Sequence, residues 1–183
     1  MPPQYFKETP DCVGLPLDSV QIKICDPETE REVPAGKDGV LWIKGPNLMN
    51  GYYQNQELTD RVMKRGWLKT GDIAQIESHG FVKIKGRADD MIIRAGINIY
   101  PGELEAEIRR DPRTKDVLIY KIENESTGTQ IGMKISGDFS SEKEVRQMCV
   151  ETLPPYAVPS IIQLLKELPV NGSGKIVRKN GSV

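Results

Sequence analysis

The hydrophobic pattern of the chain changes near Gly86–Asp90, and this change constrains the fold more than any other feature. Before it, short runs such as Ser19–Cys25 and Val40–Gly45 alternate apolar and polar residues, which is the period of β-strands. After it, apolar runs are mixed with segments of helical period. The pattern therefore predicts an α+β chain with two lobes, a β-rich lobe of residues 1–88 and a mixed lobe of residues 89–183.

The first lobe is predicted to consist of strands around one helix. Ser19–Cys25 and Val40–Gly45 are expected to pair as antiparallel strands across a polar, proline-containing loop. Apolar residues at helical spacing in Asn55–Arg65 predict a helix that ends at Gly66. Three short runs follow, interrupted at Gly71-Asp72 and again at 78–80, and they predict a β-meander.

The second lobe is predicted to have the order hairpin, helix, strand, strand, helix, strand. The corresponding ranges are Met91–Tyr100 with a bend at Ala95-Gly96, Pro101–Asp111, Lys115–Ile122, Gln130–Ser136, Ser141–Leu153 and Ser160–Leu165. Proline at the start of the first helix, with acidic residues early and basic residues late, suits the helix dipole. The spacing of Ser141 and Glu144 predicts a capping box at the second helix.

Charge and composition exclude several classes of protein. The chain has 25 Lys and Arg against 26 Asp and Glu, so nothing suggests a nucleic-acid partner. No apolar run is long enough for a membrane helix, and the N-terminus lacks the pattern of a signal peptide, so we expect a cytoplasmic protein without a membrane span. Three widely separated cysteines suggest reduced packing residues, with neither a disulfide framework nor a metal site.

Four segments in a fixed order carry a resemblance to a known family. Each alone reads as a loop: Gly45–Thr59, Gly66–Asp72, Gly86–Glu105 and Leu168–Lys179. Together they resemble the C-terminal portion of AMP-forming acyl-CoA synthetases. That superfamily of adenylate-forming enzymes includes acyl- and aryl-CoA ligases, peptide-synthetase adenylation domains and firefly-type luciferases. The resemblance extends from about Val13 to Lys179.

The resemblance implies a domain organisation. Residues 1–88 would be the barrel-like C-terminal subdomain of the large AMP-binding domain, and residues 89–183 the mobile C-terminal domain, a central sheet flanked by helices. The phosphate-binding loop and the Tyr-Gly-x-Thr-Glu segment that relatives carry upstream are not found in this sequence. We therefore expect a fragment, inactive alone, whose partner is the missing N-terminal domain with most ligands of Mg²⁺.

The resemblance also assigns residues to the nucleotide and to the hinge. Asp72 would accept hydrogen bonds from both ribose hydroxyls, since a carboxylate has two acceptor oxygens. Arg87 would bind ribose or phosphate oxygens, and Asp89 matches the hinge about which the C-terminal domain rotates. Spacing alone leaves alternatives open: a turn residue for Asp72, a surface ion pair with Asp89 or Asp90 for Arg87, and a polar interdomain turn for Asp89.

Two further residues are assigned in the second lobe. Gly96 would lie beside the pantetheine of coenzyme A, where a missing Cβ permits close approach, although a plain left-handed turn explains it equally well. Many relatives have a basic residue two positions later, where this chain has Asn98. Lys175 matches the family lysine that serves the first half-reaction, with a solvated surface cation as the alternative.

The function implied is that of an acid–thiol ligase. Such an enzyme uses ATP to convert a carboxylic acid into an acyl-adenylate with release of pyrophosphate, and coenzyme A then displaces AMP. Two alternatives stay open: a free-standing binding or regulatory module of the same fold, and an amino-acid-adenylating or luciferase-like relative. The acid itself is not indicated by these residues.

Overall fold

Five strands of the first half of the chain form one curled antiparallel sheet. The structure, a computed structural model, describes residues 11–124, 128–170, 172 and 176. The strands are β1 (Gln21–Cys25), β2 (Gly39–Lys44), β3 (Met63–Lys64), β4 (Trp67–Ile76) and β5 (Val82–Arg87), and helix α1 (Gln56–Val62) precedes β3. The strand β4 is central because it pairs with β2 along one edge and with β3 and then β5 along the other. The predicted pairing of β1 with β2 is confirmed.

The helix predicted over Asn55–Arg65 is shorter than expected. It ends at Val62, because Met63–Lys64 are extended and pair with the start of β4. Arg65-Gly66 have φ angles of 54° and 78° and form the two-residue turn between β3 and β4. Strand pairing therefore overrides the helical spacing of the last residues, and Gly66 turns a hairpin instead of ending a helix.

The predicted meander of three strands is wrong, since Gly71-Asp72 lie inside β4 and do not separate two strands. Three residues of β4, 70–72, lie opposite the single residue Leu41 of β2. They form a β-bulge, which bends the strand without ending its pairing. Turn-forming residue types thus mark an irregularity within one long strand.

The second half of the chain has the predicted order of elements. They are β6 (Ile92–Arg94), β7 (Ile97–Ile99), α2 (Pro101–Ile108), β8 (Thr114–Asn124), β9 (Gly128–Gly137), α3 (Glu142–Thr152) and β10 (Ile161–Leu164). β6 and β7 form the expected hairpin, and β9 pairs antiparallel with β8 and parallel with β10. The chain divides into two compact units, Met1–Asp89 and Asp90–Val183.

Helices α2 and α3 share one core with the sheet of the second unit. Alternate residues of β8 and β9 point into it and meet apolar residues of both helices: Val117, Ile119, Ile131, Met133, Ile135, Ile108, Val145, Met148 and Cys149. The α+β class, with a β-rich first part and helices packed on a small sheet, is confirmed.

The cap of α3 differs in one detail from the predicted capping box. The Ser141 hydroxyl accepts a hydrogen bond from the Glu144 backbone N–H at 3.4 Å, as expected. The Glu144 carboxylate, however, accepts from the backbone N–H and the hydroxyl of Ser140, at 2.8 and 2.7 Å. In a capping box the Glu144 carboxylate would accept from the backbone N–H of Ser141, so the observed donor lies one residue closer to the N-terminus.

A buried glutamate connects α2 to the edge of the sheet in the second unit. Glu105 is 1% exposed, and its Oε1 accepts a hydrogen bond from the Ile119 backbone N–H of β8 at 2.9 Å. One turn further on, Arg109 Nη2 donates to the Val117 carbonyl at 3.1 Å. Because β8 is an edge strand, these two side chains satisfy backbone groups that a neighbouring strand would otherwise bind.

We expect Glu105→Leu to lower the free energy of unfolding of the second unit by about 1–3 kcal/mol, because the Ile119 N–H loses this acceptor inside the core. Glu105→Gln keeps an acceptor oxygen and should cost clearly less. Urea denaturation followed at the amide signals of β8 measures both variants. Equal losses would show that the hydrogen bond to β8 is unimportant.

Candidate functional site

The bulge in β4 brings three of the predicted site residues together. Asp72 and Arg87 lie opposite each other in the pairing of β4 with β5. Arg87 Nη1 donates to Asp72 Oδ1 at 2.9 Å, and Arg87 Nη2 lies 3.9 Å from Asp89 Oδ2. The guanidinium group of Arg87 therefore contacts both Asp72, which is predicted to bind the ribose, and Asp89, the last residue of the first unit.

Thr70 fixes this arrangement to the rest of the sheet. Its hydroxyl donates to the Leu41 carbonyl of β2 at 2.9 Å and accepts from the Asp72 backbone N–H at 3.1 Å. Its own carbonyl accepts from Arg87 Nη1 at 3.1 Å. Thr70 thus orients both partners of the ion pair. The sequence reading missed this residue, because a threonine before Gly71 carries no distinctive signal in a strand pattern.

Two separate features favour glycine at position 71. Its φ of +79° lies in the left-handed region, which side chains rarely adopt. A Cβ would also lie 2.8 Å from Arg87 Nη2. The backbone oxygen of Gly71 accepts from the Ala88 N–H at 2.8 Å, which extends the pairing beyond β5. Glycine therefore permits the close approach of the Arg87 side chain to the bulge.

The chemistry of the pair suits a ligand that carries hydroxyl and anionic groups. Asp72 is 34% exposed, and its Oδ2 has no hydrogen-bond partner in the described part of the chain. Arg87 is 50% exposed, and its Nη1 donates to both the Thr70 carbonyl and Asp72 Oδ1. One carboxylate oxygen and several guanidinium N–H groups remain to bind a polyol or a phosphate. The residues present fit a nucleotide ribose.

The structure also decides between local alternatives for these residues. The Asp72 carboxylate binds Arg87 and does not cap a turn, since Asp72 lies within β4. The ion pair of Arg87 with Asp89 exists, but the contact with Asp72 is shorter. Asp89 is 90% exposed, at the boundary between the two units. The ligand and hinge roles themselves stay predictions.

The two remaining predicted residues lie elsewhere. Gly96 is at the exposed tip of the hairpin of β6 and β7, with a φ of +78°, and a Cβ there would have no described atom within 4 Å. The turn conformation alone thus explains this glycine, and its contact with pantetheine stays a prediction. Lys175 lies outside the described residues. Val170 and Ile176 are described, and they pair across an isolated antiparallel bridge.

The cysteines behave as packing residues. Cys25 and Cys149 are buried, Cys12 is half-buried, and all three are free thiols. Burial raises the pKa of the Cys149 thiol to about 11. Within residues 11–124 and 128–170, no group of three His, Cys, Asp or Glu side chains is placed to hold a metal ion. Nor does the described chain contain a helix long and apolar enough to cross a membrane.

The fold is shared with solved structures of a coenzyme A synthetase. The structure of o-succinylbenzoate coenzyme A synthetase from Bacillus subtilis with its acyl-adenylate intermediate matches with a TM-score of 0.88 and 30% identity, covering 97% of this chain and 37% of that one. The same enzyme with ATP and magnesium matches with a TM-score of 0.87. The fold expected from the motifs is therefore confirmed.

Sequence comparisons also find acyl- and aryl-CoA ligases. A family model described as AMP-binding enzyme matches residues 1–53. A long-chain-fatty-acid–CoA ligase of Escherichia coli O6:H1 is 36% identical over 91% of this chain, and a 4-coumarate–CoA ligase-like protein of Oryza sativa subsp. japonica is 33% identical over 91%. The chain spans 30% and 31% of the length of these two relatives. The resemblance to AMP-forming acyl- and aryl-CoA ligases is thus confirmed.

The geometry predicts an energetic coupling between Gly71 and Arg87. Gly71→Ala should lower the free energy of unfolding of the first unit by about 1–2 kcal/mol for the left-handed conformation, plus a further loss from the clash with the guanidinium group. In an Arg87→Ala background only the conformational loss should remain. A double-mutant cycle by urea denaturation measures the difference. Additive effects of the two substitutions would contradict the close contact.

Proposed function

We propose that this chain is the C-terminal part of an AMP-forming acid–thiol ligase. The parent enzyme would activate a carboxylic acid as an acyl-adenylate and transfer the acyl group to the thiol of coenzyme A. The observation that carries the proposal is the pair of Asp72 and Arg87, held on the β4 bulge with one carboxylate oxygen open to a ligand. The similarity to acyl- and aryl-CoA ligases over 91% of the chain supports it.

In the first half-reaction, the chain's residues would bind and orient the nucleotide. Asp72 accepts the ribose hydroxyls, and Arg87 donates to a ribose or phosphate oxygen while it holds the Asp72 carboxylate in place. The Lys175 ammonium group would lie between the attacking carboxylate and the α-phosphate. A donor placed at such a developing charge is worth about 2.7–4 kcal/mol.

In the second half-reaction, the domain of residues 89–183 would rotate relative to the domain of residues 1–88. Asp89 ends the first compact unit, which supports a hinge at this residue between domains 1–88 and 89–183. A hinge residue needs freedom to change its backbone angles, and among the described residues the exposed Asp89 side chain has only the long contact with Arg87. Gly96, at the exposed hairpin tip, would then face the pantetheine chain of coenzyme A.

The parent protein would supply what this chain does not. Relatives are about three times as long, and we propose that the N-terminal domain provides the phosphate-binding loop, most Mg²⁺ ligands and the acid pocket. Alone, the chain would therefore be inactive. Its relatives are named for long-chain fatty acids, 4-coumarate and 2-succinylbenzoate, so a panel of acids led by long-chain fatty acids is the first assay.

The role of Lys175 is tested by separating the half-reactions in the parent protein. Lys175→Ala should abolish formation of acyl-adenylate, measured as exchange of pyrophosphate into ATP, because the charge at the α-phosphate is lost. Thioester formation from preformed acyl-adenylate should be largely retained. Lys166→Ala, at an exposed lysine earlier in the sequence, serves as the control. Equal loss of both half-reactions would contradict the assignment.

The role of Asp72 is tested by the dependence of rate on ATP concentration. Asp72→Ala should raise the KM for ATP about 10- to 100-fold, because hydrogen bonds to a charged group contribute about 1.5–3 kcal/mol. Asp18→Ala removes an exposed carboxylate from the same unit and should leave the KM unchanged. An unchanged KM in Asp72→Ala would exclude it as a ribose ligand.

A further inference from the structure

Six side chains on one face of the first unit's sheet form an alternating array of lysine and tryptophan. Strand register places Trp42 of β2 between Lys23 of β1 and Lys69 of β4. In the next row Trp67 of β4 lies opposite Lys64 of β3, and Lys44 of β2 is on its other side. We call these six residues the Lys–Trp face.

The opposite face of the same strands is apolar. Ile22 and Ile24 flank Lys23 in β1, and Leu41 and Ile43 flank Trp42 in β2. Ile24 and Leu41 belong to the hydrophobic cluster of the first unit, and Ile22 and Ile43 pack against it. Because successive side chains of a strand point to opposite faces, the lysines and tryptophans share the side away from that cluster.

The lysines are held against the indole rings. Lys23 Nζ lies 4.5 Å from the Trp67 ring centre and 5.2 Å from that of Trp42, within range for a cation–π contact with both. Lys44 Nζ is 5.9 Å from Trp67, and Lys69 Nζ is 5.9 Å from Trp42. Three of the four ammonium groups of this face therefore lie over indole rings.

The charge of this face is poorly balanced. Glu30 pairs with Lys64 at 2.7 Å and with Lys69 at 3.0 Å. Lys23 and Lys44 have no carboxylate within ion-pair distance among the described residues. Two of the four lysines thus pair with the same glutamate, and the other two have no carboxylate partner among the described residues. The net charge of the whole chain is −1. Positive charge is concentrated here although the chain as a whole has no basic excess.

We propose that the Lys–Trp face docks on an anionic phospholipid bilayer. The four cations extend over four neighbouring strands as a two-dimensional array, which matches a plane of headgroups better than a single linear polyanion. Trp42 is 4% exposed, so docking is electrostatic and reversible, without an inserted apolar anchor.

Docking through this face is separate from the ligase activity, because none of the six residues belongs to the candidate nucleotide site. The test uses the 183-residue chain in flotation with phosphatidylcholine vesicles, with and without about 30% phosphatidylglycerol. We expect binding only to the anionic vesicles at low salt, and release at about 0.5 M salt as the charges are screened.

Three variants locate the contact. Each lysine near an anionic surface raises partitioning to the vesicles about fivefold. The triple variant Lys23→Gln, Lys44→Gln and Lys69→Gln should therefore lower partitioning about a hundredfold. A control with the same charge change, at exposed lysines elsewhere, combines Lys37→Gln, Lys143→Gln and Lys166→Gln and should lower it less than about threefold. Glu30→Gln should raise partitioning, since it releases two of the lysines.

The proposal is overturned if anionic vesicles are not bound, if the two triple variants lose partitioning equally, or if the chain binds polyglutamate or RNA but no vesicle. Circular dichroism and thermal unfolding check that each variant is folded. Should the first triple variant unfold, Glu30→Gln decides, because unchanged or weaker partitioning in that variant contradicts a contact through this face.

Discussion

The hydrogen bonds of Thr70 are the interaction on which the candidate site depends. Its hydroxyl connects the β4 bulge to the Leu41 carbonyl of β2, and its carbonyl receives Arg87 from β5. Three strands therefore converge on one threonine. A bulge without such support would leave Asp72 on an irregular segment with several orientations, whereas here both the backbone and the carboxylate of Asp72 have fixed partners. Preorganised acceptors bind a ligand at lower entropic cost.

Sequence patterns predicted the second unit well because its elements carry locally consistent signals. Proline at the start of α2 and the hairpin at Ala95-Gly96 need no tertiary information. The first unit was harder, since its ends are set by pairing between distant residues. Met63–Lys64 became a strand because β4 offers backbone partners, and no local signal distinguishes that outcome from one more helical turn.

The candidate site was predictable only in part, for a related reason. Motif resemblance identified Asp72, Arg87 and Asp89, and the structure brings these three together. The resemblance could not identify Thr70 or Glu105, because these residues matter through hydrogen bonds to backbone groups of other strands. Such contacts produce no recognisable residue pattern in the sequence, because one partner is a main-chain atom that almost every residue type supplies.

The two glycines of the proposed sites differ in what they require, although their φ angles are nearly equal. At Gly71 the left-handed conformation and the nearby Arg87 Nη2 both disfavour a Cβ. At Gly96 only the conformation does, since a Cβ would have no described neighbour within 4 Å. Asparagine adopts the left-handed region more readily than other side chains, so it could replace glycine in a turn that has no other constraint. A stricter need for glycine at position 96 would therefore have to come from a molecule that approaches the hairpin.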